Sequence, residues 1–256
     1  MKPFPPSPSF IAEQDLLSPV MATSSRRKLP SLMLVTLRRG VLAGRLYLTI
    51  GVVVSLILTV ALLRSAHGTT EFVAVFPLEI PLFASLGSMG GLMLFVGDRS
   101  KGVLEYFISY GVRPRTLFIN SLLVTIALTT MVLGGSLAVG LGGYLAAGNV
   151  LSTDLQNSLL GYTIPMAYAS ALFASIGGII WSSLSTPRAG MNTPVGFAPM
   201  LGVAPPVLVL IVAEGVDKSA YYDVTLGASF GFLALVVLLL VASSRLMDRE
   251  RYLSPM

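Results

Sequence analysis

Apolar residues run along this chain in long blocks, separated by short polar segments that hold nearly all of its charge. Crossing about 30 Å of hydrocarbon takes about 20 apolar residues at roughly 1.5 Å of rise each. Six blocks qualify: 46–63, 72–96, 116–147, 158–184, 190–213 and 224–242. The pattern predicts an all-α membrane protein with six transmembrane helices. The third block exceeds the length of a span and is expected to tilt or protrude. The fifth contains Pro194, Pro199, Pro205 and Pro206. Proline removes a helix hydrogen bond, which a membrane helix tolerates where neighbours satisfy the freed carbonyl.

Two polar segments carry a periodicity of their own. Between Pro30 and Arg45, Leu34, Leu37 and Val41 share a helical stripe that leaves Arg38 and Arg39 to one side. This predicts either a short helix on the membrane surface before the first span or an extension of that span. The segment 98–120 is the longest charged interruption, with Asp98, Arg99, Lys101, Glu105, Arg113 and Arg115. After Gly102, the residues Leu104, Phe107 and Ile108 fall at i, i+3 and i+4, with Glu105 and Ser109 on another face. Gly111 suits a helix stop and Pro114 a helix start. Residues 103–110 are therefore expected to form about two turns of surface helix joined rigidly to two spans.

Composition narrows the class further. The chain is 54% hydrophobic and 11% charged, with a mean hydropathy of +0.81. Soluble domains carry about 25% charged residues, so no sizeable soluble domain fits beside the spans. Residues 1–29, rich in Pro and Ser and ending near Arg26, Arg27 and Lys28, are expected to be a disordered tail, with 30–256 as the transmembrane domain. No apolar block follows Lys2 as a signal peptide would require. The absence of cysteine excludes disulfides, thiolate metal sites and cysteine nucleophiles.

Charge placement orients the chain. Seven Lys/Arg precede the first block, four follow the second, one follows the fourth and three follow the sixth, making fifteen on one side. The opposite loops hold two, Arg64 and Lys218. By the positive-inside rule both termini and the 98–120 segment are expected to be cytoplasmic, in a multi-pass protein of the cell membrane. The net charge of +5 is thus accounted for as an orientation signal, and no nucleic-acid partner is expected.

Chemistry of the chain's own is not in view. No GxxxxGK[ST], HExxH or GxSxG pattern occurs, and the single histidine, His67, has no His or Cys companion nearby. An enzyme is not expected. Glu79 is the one carboxylate inside an apolar block, flanked by Pro77 and Pro81, and an acid in such a place is a candidate for a transport pathway. It lies nineteen residues before Asp98, or about 28 Å along a helix, so it belongs near the outer interface. Three ridges of small residues at spacing four (Gly87 and Gly91; Gly134, Ala138 and Gly142; Ala167, Ala171 and Ser175) allow close helix packing, within one subunit or between two.

The stretch from Asp98 to Ile108, followed by Gly111, Val112, Arg113, Pro114, Arg115 and a new span, resembles the segment after the second span of ABC-2-type ABC transporter permeases. In that family an acidic and a basic residue precede Gly-Thr-Leu-Glu, two hydrophobic residues and a Pro-Val-Ser/Thr-Arg turn. Asp98, Arg99, Gly102, Leu104, Glu105, Phe107, Ile108 and Val112 match; Val103 stands in place of Thr, Gly111 in place of Pro, and Arg113-Pro114 in place of Ser/Thr-Arg. The resemblance implies that 103–110 is a coupling helix docking on a separate ATP-binding subunit, which would hold ATP and Mg. It further implies that Arg38 and Arg39 belong to a connecting helix before the first span, and that two permease subunits join two ATPase subunits. The function implied is ATP-driven export of a hydrophobic or amphipathic cargo. From the residues alone, an ion- or proton-coupled carrier and a non-transporting membrane assembly subunit stay open.

Overall fold

The computed structural model describes residues 28–65, 68–184, 193–214 and 221–247. Every regular element among them is helical. The expected tail at 1–29 falls almost wholly outside the described residues, as does His67. Helix α1 is Lys28–Arg64 and α2 is Gly68–Ala84. A 3-10 turn, Ser85–Gly87, joins α2 to α3, Ser88–Ser100. The short α4 is Val103–Ser109 and the long α5 is Pro114–Ala146. Helix α6, Thr153–Ser158, passes through a π-helical turn, Leu159–Thr163, into α7, Ile164–Leu184. Helices α8, Thr193–Glu214, and α9, Tyr221–Leu246, complete the fold.

Among the described residues five stretches are long and apolar enough to cross a membrane: Gly44–Arg64, Phe72–Ser100, Pro114–Ala146, Thr153–Ser183 and Asp223–Arg245. That is the character of a membrane protein, with five candidate spans where the apolar blocks predict six. The proline-bearing fifth block forms a helix, α8, apolar over Met200–Val209 among the described side chains. The second and fourth stretches are mostly buried, whereas the first and last stay largely open on the flanks.

Small residues set the helix order. Gly40 faces Val124, Gly44 faces Leu128, Gly51 faces Val132, and Ser55 Oγ donates to Ser136 Oγ at 2.7 Å. The numbers rise together, so α1 and α5 run parallel. Gly91 faces Thr125 and Gly87 faces Thr129, so the α2–α3 unit runs antiparallel between them. A Cβ at Gly91 would collide with Thr125 Oγ1 and the Ser121 carbonyl. Lipid offers no hydrophobic drive for association, so close backbone approach and hydrogen bonds such as Thr125–Ser175 (2.7 Å) hold the bundle.

The prolines of α2 are accommodated by a neighbour. Pro81 has no N–H to offer the carbonyl of Pro77, four residues earlier. Thr163, at the end of the π turn, donates its hydroxyl to that carbonyl at 2.8 Å. The second span therefore stays helical through both prolines and breaks only at Ser85–Gly87.

The helix before the first span differs from a separate surface element. Lys28–Arg64 is one unbroken helix of 37 residues, about 55 Å long, so the expected connecting helix is an extension of the span. Leu37 and Val41 pack against Leu94, Val124 and Leu128, while Leu34, expected on the same stripe, is 69% exposed. The packing surface is set by Gly40 and Gly44, which bring α1 against α5 and α3 and fix its direction through that region.

Candidate functional site

The candidate site is the corner where α3 ends, α4 crosses and α5 begins. Two glycines in the left-handed region make the corner possible. Gly102 (φ 69°) ends the second span and lets the chain turn into α4, and Gly111 (φ 79°) ends α4. Such φ values cost a residue with a side chain roughly 1–2 kcal/mol. At the second turn the Val112 N–H donates to Phe107 O at 3.0 Å and the Gly111 N–H to Ile108 O at 2.8 Å. This is the paired hydrogen-bond closure of a helix C-terminus, with Val112 and Phe107 in apolar contact around it. Arg113 is extended and Pro114 opens α5, where its missing N–H costs nothing.

Helix α4 lies with its apolar face on the bundle. Leu104 and Phe107 are buried in one cluster with Phe95, Leu117, Phe118 and Met247, and Ile108 packs against its edge. Removing two such side chains from water stabilises the attachment by roughly 1.5–3 kcal/mol each. The stripe Leu104–Phe107–Ile108, expected to be part of the docking element, is therefore the anchor that fixes α4 to the spans. Its outward side presents Tyr106 and Tyr110, with ring centroids 4.7 Å apart, and the exposed Ser109. Hydrogen bonding to Tyr110, with a smaller contribution from desolvation, raises the Tyr106 phenol above the usual tyrosine range.

The charges at the end of α3 point to different helices. Asp98 is buried and takes Arg39 of α1 in a forked ion pair, Nη2 to Oδ1 at 2.7 Å and Nη1 to Oδ2 at 3.5 Å. Arg99 donates to the Ser183 carbonyl at the end of α7 at 3.4 Å and feels the charge of Glu105 in α4. Glu105 is half-buried, and its Oε2 is covered without a hydrogen-bond partner among the described residues. The corner thus ties α1, α3, α4 and α7 to one point.

Of the sequence-predicted residues, Asp98, Arg99, Gly102, Leu104, Glu105, Phe107, Ile108 and Arg39 come together here. Arg38 is exposed on α1, one residue and about 100° round the helix from the ion pair. Glu79 is half-buried in α2, nineteen residues before Asp98 and on the far side of the 3-10 turn at Ser85–Gly87. The Arg39–Asp98 pairing, the Ser183 contact and Met247 were not legible from local patterns, since each joins elements distant in sequence. The outward tyrosines carry a signal in hindsight: Tyr106 and Tyr110 are spaced by four, off the apolar stripe. Among the described residues no three His, Cys, Asp or Glu side chains gather as a metal site would need. Comparison of the chain with protein-family models, curated proteins and solved structures gives no match in any of the three.

Proposed function

We propose that the chain is the membrane-spanning subunit of an ABC-2-type ATP-driven transporter, with α4 as the helix that receives motion from a separate ATP-binding subunit. The observation that carries this reading is the mounting of α4. It is a two-turn helix fixed by Leu104 and Phe107, bounded by Gly102 and Gly111, and continuous through tight turns with two long apolar helices. A push on its Tyr106–Tyr110 side is delivered to α3 and α5, and through Asp98–Arg39 to α1. In this reading α8 completes six spans, both termini and α4 face the cytoplasm, and a second permease subunit completes the pathway. ATP and Mg sit on the partner, and a hydrophobic or amphipathic cargo is exported.

The test is co-purification with an ATP-binding subunit expressed alongside the full chain. Y106A/Y110A is expected to lose that subunit while keeping its own thermal transition, and transport in vesicles should require ATP. Equal recovery with the tyrosines removed, or transport that needs no ATP, overturns the reading.

One observation favours a second reading, an ion- or proton-coupled carrier. The second span breaks at Ser85–Gly87, and there it meets the proline-bearing α8, where a Cβ at Gly202 would stand 2.9 Å from Ser85 Cβ. A span interrupted near mid-membrane is a feature of such carriers. Transport driven by an ion gradient in vesicles free of ATP separates the two.

A further inference from the structure

We propose that the outward face of α1 binds anionic phospholipid headgroups through Arg38 and Arg45. The two residues are seven apart, nearly two full turns, so they share one side of the helix, and both are exposed. Leu34, Leu42 and Leu46 lie on the same side and are 69%, 56% and 62% exposed. Further along α1 that side continues as Val53, Leu56, Ile57 and Val60, all exposed and all apolar. A face that is apolar through the span but for Thr49, whose hydroxyl donates back to the Arg45 carbonyl at 2.9 Å, is the lipid-facing one, and Arg38 and Arg45 stand on its direct continuation.

Depth supports the same occupant. Arg45 and Arg64 bracket the apolar stretch of α1; nineteen residues of rise separate them by about 28 Å, close to the thickness of the hydrocarbon layer. Arg45 therefore sits at the boundary where phosphates begin, and Arg38 about 10 Å beyond it. The leucines between them give acyl chains and glycerol an apolar surface while the guanidinium groups, as planar forks, suit phosphate.

Charge at this end of the bundle is one-sided. Arg38, Arg45, Lys101, Arg113, Arg115 and Arg245 are exposed, while the carboxylates at this end are drawn inward, Asp98 against Arg39 and Glu105 beneath α4. Among the described residues no exposed carboxylate at this end opposes an anionic surface. Arg39 reaches Asp98 and Arg38 beside it is exposed, so a headgroup on Arg38 sits next to the ion pair that holds the end of α3.

The test uses the full chain in phosphatidylcholine vesicles carrying a minor fraction of spin-labelled phosphatidylglycerol or, separately, spin-labelled phosphatidylcholine. Spin resonance reads the fraction of each label immobilised on the protein. At low salt the anionic label is expected to be preferred by about five-fold per arginine, the weight of one basic residue at an anionic membrane surface. R38Q/R45Q should remove most of the preference, R38K/R45K should keep most of it, and K101Q/R113Q on the α4 side should lower it less than R38Q/R45Q does. Because the lysine pair retains both charges, it separates loss of binding from loss of fold. Equal immobilisation of the two labels by the unaltered chain, or full preference in folded R38Q/R45Q, overturns the proposal. So does a preference that disappears only in K101Q/R113Q.

Discussion

Two stretches of this chain have amphipathic helical patterns with arginine close by, and the fold uses them in opposite ways. Residues 103–109 are closed on the bundle, with Leu104 and Phe107 buried; residues 34–46 of α1 leave Leu34, Leu42 and Leu46 open. The difference lies in what bounds each stretch. Gly102 and Gly111 turn the chain sharply at both ends of α4, so the short helix can lie across the bundle and cover its apolar stripe. No such turn separates 34–46 from the first span, so its direction follows α1, whose contact side is the glycine ridge rather than the leucines. An apolar stripe marks a buried face only where the backbone is free to aim it.

The sharpest way to break the contrast is to delete the anchor of α4. Phe107→Ala is expected to cost about 3–5 kcal/mol and Leu104→Ala about 2–5 kcal/mol, the range for large-to-small changes in a packed core. Both side chains lie outside the long apolar stretches, at an end where water competes for them. Denaturant titration in mixed micelles reads the loss, and protease sensitivity at Arg115 should rise with it.

Asp98→Asn comes next, because it breaks the ion pair that joins the end of α3, just before α4, to Arg39 of α1. A fully buried pair broken on one side costs about 3–5 kcal/mol. The Arg39 side chain is 38% exposed, so water screens part of that and about 2 kcal/mol is expected. A double-mutant cycle with Arg39→Gln should show coupling, the second change adding far less than it costs alone. Additive effects would mean that α1 and α3 are held at this end by packing only. Gly111→Ala follows, at about 1 kcal/mol, through the left-handed backbone it must adopt, and it should leave the Asp98–Arg39 coupling unchanged.

Much of the corner was legible in the sequence because its signals are local. The stripe at Leu104, Phe107 and Ile108, the stop at Gly111 and the start at Pro114 are each a few residues wide and were matched by the structure. What was not legible depends on contacts across the fold. The Arg39–Asp98 pair spans fifty-nine positions, and nothing near either residue names the other. The α1 ridge Gly40, Gly44, Gly51, Ser55 and Thr59 was hidden because the leucine stripe beside it suggested a surface helix. The three ridges at spacing four also diverged. Gly87 and Gly91 pack on α5, Ala167, Ala171 and Ser175 are buried, and Gly134, Ala138 and Gly142 stay exposed. Spacing reports which residues share a face and is silent about what meets it.

Leu42→Ala should have the smallest effect, and its smallness is the informative part. A leucine that is 56% exposed on this face has lipid or headgroup beside it in both the folded chain and an unfolded chain kept in the membrane. Little apolar area moves between water and hydrocarbon when the bundle forms, so stability should change by no more than about 0.5 kcal/mol. Leu37, on the other side of the same stretch, packs into the bundle with Leu94 and Val124, and Leu37→Ala should cost measurably more under the same titration. If the two substitutions cost the same, the outward face of α1 is covered in the assembled protein, and the contrast between the closed and open helices ends at the boundary of a single subunit.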